Sequence, residues 1–542
     1  MAEPADPCRA ADRLARRLAE AGCRCAFGIP GGEVLTLIDA LEAAGITVVT
    51  AKHETAAAFM AEAVWQRTGT PPVLVATVGP GLSNATNGVV NARLDRVPLI
   101  VLAGAVDADD ALTYNHQIID HARLLEPAIK GAFTLTATAP GLITEKALTL
   151  ACDPRPGPVL IDVPINVAAA AAGEEAHIRR ARPAAVAPAE GPELDEVRGW
   201  LGAAERPLVL AGFDAVADGA GAALRDFVET FRVPVVQTYK AKGLLPEDHP
   251  FALAAAALSP AADERIMAVV EKADLVILAG YDAVEMRRSW QQPWDPASKR
   301  VVAFETVPND HYLHQATVSF VCDVGEGLRA SARGVRPASR WTAAEVADAR
   351  AAILAPFAVD EAWGPSAVVD VARQVLPRAT LATADVGAHR IVLSQVWSAF
   401  EPRGLLQSNG LCTMGSGLPL GIGAKLAEPD RPVVVFTGDG GLLMVLGELA
   451  TAVELGLPLI VVCFVDESLA LIDLKQQDRE LARRAVGVGR FDVELIAAGL
   501  GGRGMVAADR RSLATALHEA LGASTFTLIA CPIDAASYRG RV

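Results

Sequence analysis

The sequence contains no apolar run that approaches the length of a membrane-spanning helix. Its longest apolar stretches, such as 98–106 and 458–465, are far shorter than the about 20 residues that a span requires. Basic residues are too few to balance the acidic ones, and the formal net charge is −15. This charge argues against nucleic acid and anionic membrane as partners. The charged, amphipathic N-terminal segment has no signal-peptide core, so we expect a soluble, cytoplasmic protein.

Cysteine is scarce as well, with eight scattered residues. Only Cys23 and Cys25 are close together, and no second pair follows that could complete a zinc site. We therefore expect buried thiols in a reducing compartment. No predicted strand is followed by a Gly-x-Gly-x-x-Gly turn and a later ribose-binding acid, which argues against a Rossmann oxidoreductase.

Short apolar, β-branched runs alternate with helical patterns along the chain, which predicts an α/β protein with parallel sheets. Two segments rich in alanine, proline and charge, 168–190 and 338–356, interrupt this alternation, and the second is predicted to be helical. The sequence thus predicts three consecutive doubly wound domains, at 1–170, 192–335 and 357–542. Strands of the middle domain are predicted at 207–211, 234–237, 275–279 and 300–304.

The most informative feature is a pair of aspartates, Asp439 and Asp466, which each follow or end a predicted strand. A strand, turn, helix and strand of this length place the two strands parallel. Both carboxylates then lie at the carboxyl ends of the strands, where open α/β sheets bind ligands. The four predicted elements are 432–437, 438–441, 442–455 and 459–465.

Two carboxylates that face each other at such an edge repel unless a cation lies between them, and all-oxygen ligand sets favour Mg²⁺. Gly440 and Gly441 allow a phosphate to approach backbone N–H groups at the helix N-terminus. The segment therefore predicts a site for Mg²⁺ and a diphosphate. Two alternatives stay open, since Gly-Asp-Gly is also a common turn and an aspartate after a strand often caps a helix.

This segment resembles the cofactor motif of thiamine diphosphate-dependent enzymes. The resemblance implies that Mg²⁺ is bound by the side chains of Asp439 and Asp466 and by the backbone carbonyl of Ser468. Most members have Asn at the position of Asp466, whereas the catabolic, FAD-independent acetolactate synthases have Asp. The chain is most similar to that group. Leu471 stands where family members place an apolar residue beside the cofactor, on its substrate side.

A second set of motifs is similar to the pyrimidine-binding domain of the same family. The resemblance implies that Glu54 hydrogen-bonds the pyrimidine ring nitrogen and helps to remove the thiazolium C2 proton. This chemistry needs a carboxyl group in a poorly hydrated site. The alternatives are that Glu54 only complements the helix dipole and that His53 is a packed or solvated neighbour. The matching residues are Pro30-Gly31-Gly32, His53-Glu54 between a strand (46–51) and a helix (55–66), and Gly79-Pro80-Gly81 with Asn84.

Two further segments match the family on either side of the cofactor. The run His116-Gln117-Ile118-Ile119-Asp120 resembles an HQxxD segment, which places Gln117 on the substrate side. Met414 occupies the position of the residue that wedges between the two rings of the cofactor. A core methionine is the alternative interpretation of Met414.

The segment 385–389 resembles the loop that contacts the diphosphate. It implies contacts from Val386, Gly387 and His389. Ala388 departs from the family pattern, in which Gln is frequent.

The middle domain distinguishes subfamilies. The run Gly280-Tyr281-Asp282-Ala283-Val284-Glu285 is similar to a segment of FAD-independent acetolactate synthases, with Ala283 in place of Pro. An RFDDR-like stretch of the FAD-containing enzymes is absent, and Lys475 stands where those enzymes have Trp. The resemblance thus implies thiamine diphosphate and Mg²⁺ as cofactors, without FAD.

The implied activity is decarboxylation of pyruvate and carboligation to a second 2-oxo acid or an aldehyde, by an acetolactate synthase-like transferase with lyase chemistry. The implied assembly is a homodimer or homotetramer with active sites at the subunit interface. Two alternatives stay open: a simple 2-oxo acid decarboxylase, and an inactive cofactor-binding paralogue that regulates a partner.

Overall fold

A computed structural model describes residues 8–107, 109–174, 177–181, 183–286, 290, 292–309 and 312–542. The chain forms two compact units. The first contains the N-terminal part as far as residue 181, with Gly410–Asp430 and Met444–Leu457. The second contains Pro183–Asn409, Arg431–Leu443 and Pro458–Val542. Three six-stranded parallel sheets confirm the predicted α/β class.

The first unit is built around one sheet with the strand order β2-β1-β3-β4-β6-β5, and every pair is parallel. The order reverses between β1 and β3, which is the switch point of this sheet. Its strands are β1 (Cys25–Gly28), β2 (Thr47–Thr50), β3 (Val73–Ala76), β4 (Ile100–Ala105), β5 (Gly131–Thr134) and β6 (Val159–Pro164). The accompanying helices are α1 (Ala10–Glu20), α2 (Leu35–Ala43), α3 (Glu54–Thr68), α4 (Pro80–Leu94), α5 (His121–Leu125), α6 (Pro140–Cys152) and α7 (Ile165–Ala169).

The second unit begins with a sheet in the order β12-β11-β10-β7-β8-β9, which is also parallel throughout. Its strands are β7 (Pro207–Ala211), β8 (Val235–Thr238), β9 (Ala252–Ala256), β10 (Leu275–Ala279), β11 (Arg300–Glu305) and β12 (Val318–Val321). The helices of this part are α8 (Pro192–Ala203), α9 (Phe213–Ala217), α10 (Gly221–Phe231), α11 (Pro260–Lys272), α12 (Val324–Ala332) and α13 (Ala343–Leu354).

The third sheet, also in the second unit, has the order β14-β13-β15-β16-β18-β17 and is parallel throughout. Relative to the chain, this order is the same as in the first sheet. Its strands are β13 (Leu381–Ala384), β14 (Leu405–Gln407), β15 (Val433–Gly438), β16 (Ile460–Val465), β17 (Arg503–Val506) and β18 (Thr527–Pro532). The remaining helices are α14 (Pro365–Val375), α15 (Ala388–Val396), α16 (Gly417–Ala427), α17 (Asp439–Met444), α18 (Glu448–Glu454), α19 (Ala470–Asp478), α20 (Val493–Gly499) and α21 (Arg510–Leu521).

Helix α3 is buried on nearly all sides within the first unit. It packs against α4 and against α16, which arrives from far along the chain. Glycines permit this close approach: a Cβ on Gly88 would lie 2.4 Å from Cβ of Ala58, and one on Gly423 would lie 2.2 Å from the carbonyl oxygen of Met60. Glycines in α4 and α16 therefore permit dense packing of these helices against α3.

The single helix predicted at 442–455 is wrong. Helix α17 ends at Met444 and α18 begins at Glu448, with a turn between them that ends at Gly447. The turn directs the Glu448 side chain inward, where it accepts hydrogen bonds from backbone N–H groups of Lys52 and His53. These long-range bonds override the local helical pattern.

The strands of the three sheets lie within the ranges 1–170, 192–335 and 357–542, whose boundaries stay predictions. All eight cysteines are thiols, but only Cys23, Cys322, Cys463 and Cys531 are buried, so the expected burial holds for half of them. Among the described residues, no helix is both long and apolar enough to cross a bilayer.

Candidate active site

Three neighbouring strands of the third sheet each lead into an aspartate at their carboxyl ends. Asp385 follows β13, Asp439 follows β15, and Asp466 follows β16. The strand order reverses between β13 and β15, so the switch point of this sheet lies between Asp385 and Asp439. Open α/β sheets bind ligands at this position.

The carboxylate of Asp439 is buried, with 3% of the residue exposed. Its Oδ1 accepts from the N–H of Gly440 (2.7 Å) and its Oδ2 from the N–H of Glu467 (2.8 Å). Oδ1 of Asp466 accepts from the N–H of Ser468 (3.0 Å). These bonds would serve a turn or a cap equally well, so both alternative interpretations remain.

Electrostatics adds a second property to this pair. Burial raises the pKa of Asp439, and burial together with the nearby Asp439 raises the pKa of Asp466 to about 7. Negative charge is therefore poorly compensated at this edge of the sheet. A divalent cation would compensate it and favour both ionised carboxylates.

Ser468 lies in a loop that is fixed by backbone bonds. The N–H of Leu469 donates to the carbonyl of Val486 (2.7 Å), and the N–H of Val488 donates to that of Glu467 (2.9 Å). Neither bond uses the carbonyl of Ser468, which is the predicted third ligand of the metal.

No group of three or more His, Cys, Asp or Glu side chains that could hold a metal occurs in the described part of the chain. The predicted magnesium site contains only two such side chains, since its third ligand is a backbone carbonyl. Two carboxylates and a carbonyl form an oxygen donor set that fits a hard divalent cation.

The edge also contains a cradle that only glycine can form. A Cβ on Gly441 would lie 2.0 Å from Oδ2 of Asp385, and one on Gly387 would lie 2.7 Å from the His389 ring. Asp385 itself is buried, and it accepts from the N–H of Val386 (2.7 Å) and the hydroxyl of Thr437 (2.9 Å). Without side chains, Gly440 and Gly441 would let a phosphate approach the backbone at the start of α17.

His389 lies beneath this cradle. Its ring is buried, stacks on Phe464 with centroids 5.2 Å apart, and has an Nε2 atom without a hydrogen-bond partner among the described residues. Burial, assisted by the Arg390 charge, lowers the pKa of His389 to about 3. The side chain is therefore neutral and can donate at most one ring N–H.

In the first unit, the structure brings the predicted Glu54 and Asn84 together. Glu54 is the first residue of α3, is only 5% exposed, and accepts from Nδ2 of Asn84 (3.1 Å). His53 caps α3, because its Nδ1 accepts from the N–H of Thr55 (3.1 Å). The carboxyl group of Glu54 thus has the poorly hydrated environment that its predicted chemistry needs.

The loop that contains Gln117 lies against the Gly79 turn. A Cβ on Gly79 would lie 2.4 Å from the carbonyl oxygen of Gln117, and both residues have positive φ, 68° and 61°. The Gln117 side chain is exposed. Asp120 of the same motif caps α5 by accepting from the N–H of Arg123 (2.9 Å), which gives it a structural role.

Met414 is half-buried in a segment that lies on α4. The hydroxyl of the preceding Thr413 donates to Oδ1 of Asn87 (2.9 Å), one turn after Asn84. Leu471 is half-buried in α19 and packs against the apolar core. The structure thus places Met414 beside the helix of Asn84, and Leu471 just after the Asp466 loop.

Sequence reasoning missed several buried polar groups that support these residues. The Asp473 carboxylate accepts from the Ser468 hydroxyl (3.1 Å). The Glu448 carboxylate accepts from the backbone N–H groups of the two residues before Glu54. The ring of His121 bonds to Asp162 through Nδ1 (2.7 Å). Most of these partners are remote in sequence, so no local spacing could indicate them.

Comparison with known families gives three matches along the chain. Residues 8–124 match the N-terminal TPP binding domain of thiamine pyrophosphate enzymes, 194–331 the central domain, and 385–531 the C-terminal TPP binding domain. The three matches together cover most of the sequence and correspond to the three sheets.

Similar proteins span nearly the same length. The acetolactate synthase of Bacillus subtilis is 28% identical, over 97% of this chain and 93% of its own. Acetolactate synthase isozyme 1 large subunit of Escherichia coli is 30% identical, over 91% and 88%. The probable 2-ketoarginine decarboxylase AruI of Pseudomonas aeruginosa is 32% identical, over 87% and 84%. With its three matching domains and these full-length relatives, the chain belongs to the thiamine pyrophosphate enzyme family and is a thiamine diphosphate-dependent enzyme similar to acetolactate synthases.

Proposed function

We propose that the protein is a flavin-independent carboligase that converts two molecules of pyruvate into 2-acetolactate and CO₂. The observation that carries this proposal is the buried Glu54 carboxyl group in a chain that also presents Asp439 and Asp466 at a sheet edge. Bound thiamine diphosphate supplies the electron sink that permits loss of CO₂ and attack on a second carbonyl group.

In this proposal, the third sheet anchors the diphosphate end of the cofactor. Asp439, Asp466 and the Ser468 carbonyl would hold Mg²⁺, which would supply positive charge to offset that of the diphosphate. Gly441 would present its backbone N–H group to the diphosphate, and Gly440, whose own N–H donates to Asp439, would allow its close approach. The positive end of the α17 dipole adds to the attraction for the phosphate charge. On the other side of the switch point, Val386 and Gly387 contact the diphosphate through their backbone and His389 completes the pocket wall.

Glu54 performs the proton chemistry. It shares a proton with the pyrimidine ring nitrogen, and the Asn84 amide fixes the orientation of its carboxyl group. Met414 would support the cofactor between its two rings, Gln117 would contact the substrate, and Leu471 would form the apolar side of the substrate pocket.

The middle sheet supports the proposal that the enzyme works without flavin. Its switch point lies between β7 and β10, where a dinucleotide would bind. The loops after these strands are in backbone contact: the N–H of Asp214 donates to the carbonyl of Gly280 (3.0 Å), and a Cβ on Gly212 would lie 2.5 Å from Cα of Tyr281. The two loops therefore touch where they leave their strands, which would restrict the room for a dinucleotide at that point.

A second candidate is a simple 2-oxo acid decarboxylase, in which a proton replaces the second carbonyl substrate. Similarity to the 2-ketoarginine decarboxylase, at 32% identity, favours it. Both activities begin with the same loss of CO₂, so only the products distinguish them.

Incubation of the protein with pyruvate, Mg²⁺ and thiamine diphosphate, without flavin, is expected to give 2-acetolactate and CO₂ in a 1:1 ratio. Mass analysis of the products checks this, with aldehydes and other 2-oxo acids, 2-ketoarginine included, offered in parallel. Acetaldehyde as the main product would support the decarboxylase, and no CO₂ from any 2-oxo acid would indicate an inactive paralogue. A matched reaction with added FAD should show the same rate.

We further propose a homodimer, or a tetramer of two dimers, in which each cofactor is held by Glu54 of one subunit and Asp439 of another. The support is the resemblance to the family, in which the two cofactor-binding domains come from different subunits.

A mixture of inactive Glu54→Gln and inactive Asp439→Ala proteins is expected to regain activity, because one hybrid site receives both intact residues. Activity after subunit exchange, followed by native mass spectrometry, checks this. A mixture of Glu54→Gln with Glu54→Ala is the matched control and should stay inactive. Complete exchange without recovery would contradict a shared site.

A further inference from the structure

Glu448 is a buried carboxylate with no role in the proposed chemistry. It is the first residue of α18, and 1% of it is exposed. Burial raises its pKa. A carboxylate in such a place needs hydrogen-bond donors to offset its desolvation.

The donors are supplied by the connection between β2 and α3. Oε1 of Glu448 accepts from the backbone N–H of Lys52 (2.9 Å) and from that of His53 (3.1 Å). Its Oε2 accepts from the hydroxyl of Thr451 on its own helix (2.8 Å). One carboxylate oxygen therefore binds the two residues that immediately precede Glu54.

These bonds determine where α3 begins. Only Ala51, Lys52 and His53 lie between the end of β2 at Thr50 and the first helical residue, Glu54. A three-residue connection leaves few backbone conformations, and anchoring two of its N–H groups removes many of the rest. A shift of Glu448 would therefore move the backbone of Glu54 directly.

Close packing reinforces the anchor. A Cβ on Gly447, next to Glu448, would lie 3.4 Å from Cβ of Lys52, so the chain approaches the connection closely. The Lys52 ammonium group also pairs with Glu454 at the other end of α18 (2.6 Å). Both ends of α18 thus contact Lys52, in the segment that leads to Glu54.

We propose that Glu448 is a positioning residue that holds the Glu54 carboxyl group in register with the pyrimidine ring. The inference rests on the proposed role of Glu54. In it, Glu448 positions the backbone of Glu54 and does not itself transfer a proton. The Oε1 atom is the functional part, and an amide oxygen can replace it. The charge of the carboxylate is not required.

The test compares Glu448→Ala, Glu448→Gln and Thr451→Val. The rate at which the C2 proton of bound thiamine diphosphate exchanges, followed by NMR in deuterated buffer, reports on the position of Glu54. Glu448→Ala should slow exchange about 10- to 100-fold, as a displacement near 1 Å does. Glu448→Gln should stay close to wild type, because its amide oxygen can still accept both N–H groups. Thr451→Val removes only the bond to Oε2, so its C2 exchange rate should also stay close to that of the wild type.

Hydrogen exchange of backbone amides, measured by mass spectrometry without cofactor, provides the second readout. Glu448→Ala should lose protection at residues 52–56, whereas Glu448→Gln should retain it. If Glu448→Ala does not fold, the comparison uses Glu448→Asp, whose shorter side chain cannot reach both donors.

Two results would overturn the inference. One is an unchanged C2 exchange rate in Glu448→Ala although protection at 52–56 is lost. The other is an equal loss of C2 exchange in Glu448→Gln and Glu448→Ala, which would mean that the charge or proton of Glu448 matters rather than its geometry. Absence of C2 exchange in the wild-type enzyme would instead contradict the proposed function, and the amide protection would still report whether Glu448 fixes this connection.

Discussion

Replacement of Asp439 by alanine is expected to abolish Mg²⁺-dependent binding of thiamine diphosphate and to leave the third sheet folded. Partners that merely orient metal ligands are worth about 10- to 100-fold in affinity, so loss of a ligand should exceed about 100-fold. The fold should survive, because Asp439 contributes two backbone bonds at the edge of the sheet rather than to its core. Calorimetric titration of thiamine diphosphate into the metal-loaded variant measures the loss.

The control for this variant must separate a metal ligand from a turn or cap residue. Asp509→Ala is suitable, since Asp509 caps α21 in the same domain by accepting from the N–H of Ser512 (2.7 Å). Loss of this cap should cost about 1 kcal/mol of stability and no cofactor affinity. Wild-type protein treated with a chelator should behave like Asp439→Ala. Binding by Asp439→Ala at the wild-type affinity would establish the plain turn interpretation.

Replacement of Glu54 by glutamine is expected to preserve cofactor binding and to slow proton exchange at C2 about 10²–10⁴-fold. The amide retains the size of the side chain and can still accept from Asn84, but it cannot share a proton with the pyrimidine nitrogen. NMR in deuterated buffer isolates this step from later ones, and calorimetry checks that the cofactor is bound.

His53→Asn is the matched control for Glu54→Gln. Asparagine is a good helix cap, so α3 should begin at the same place and exchange should stay near the wild-type rate. If Glu54 served only the helix dipole, Glu54→Gln would cost about 0.3–1 kcal/mol of stability and leave the exchange rate unchanged. That pattern would remove Glu54 from the proposed proton chemistry.

Much of the fold could be predicted because buried parallel strands have a strong local pattern. The strands predicted at 207–211 and 275–279 match β7 and β10 without error, and those around Asp439 and Asp466 are right to within one residue. Each is a short apolar run bounded by turn residues, which specifies a strand without help from the rest of the chain. The carboxyl-end placement of Asp439 and Asp466 followed from the same pattern.

The failures concern interactions between distant parts of the chain. The break between α17 and α18 depends on a bond from Lys52 to Glu448, 396 residues apart, and the sequence around 442–455 contains only a helical pattern. The left-handed conformation of Gln117 and its contact with Gly79 are equally non-local. The order of the strands in each sheet could not be predicted either, because the sequence pattern of a buried strand is the same whichever strand it pairs with. The local sequence pattern therefore predicts the strands more reliably than it predicts the contacts between distant segments.

The composition of the first unit bears on how the enzyme is made. Its sheet is complete by residue 164, but α3 is covered by α16, which belongs to 417–427, and is anchored by α18, which ends at 454. At about 5–20 residues per second, a ribosome needs roughly tens of seconds to reach these helices after it has finished the sheet. Throughout that interval the α3 surface around Met60 lacks the helix that packs on it. The connection before Glu54 likewise lacks its hydrogen bonds to Glu448. The surroundings of Glu54 are thus completed only late in synthesis, and an isolated N-terminal fragment would contain the strands of the first sheet without α16 and α18.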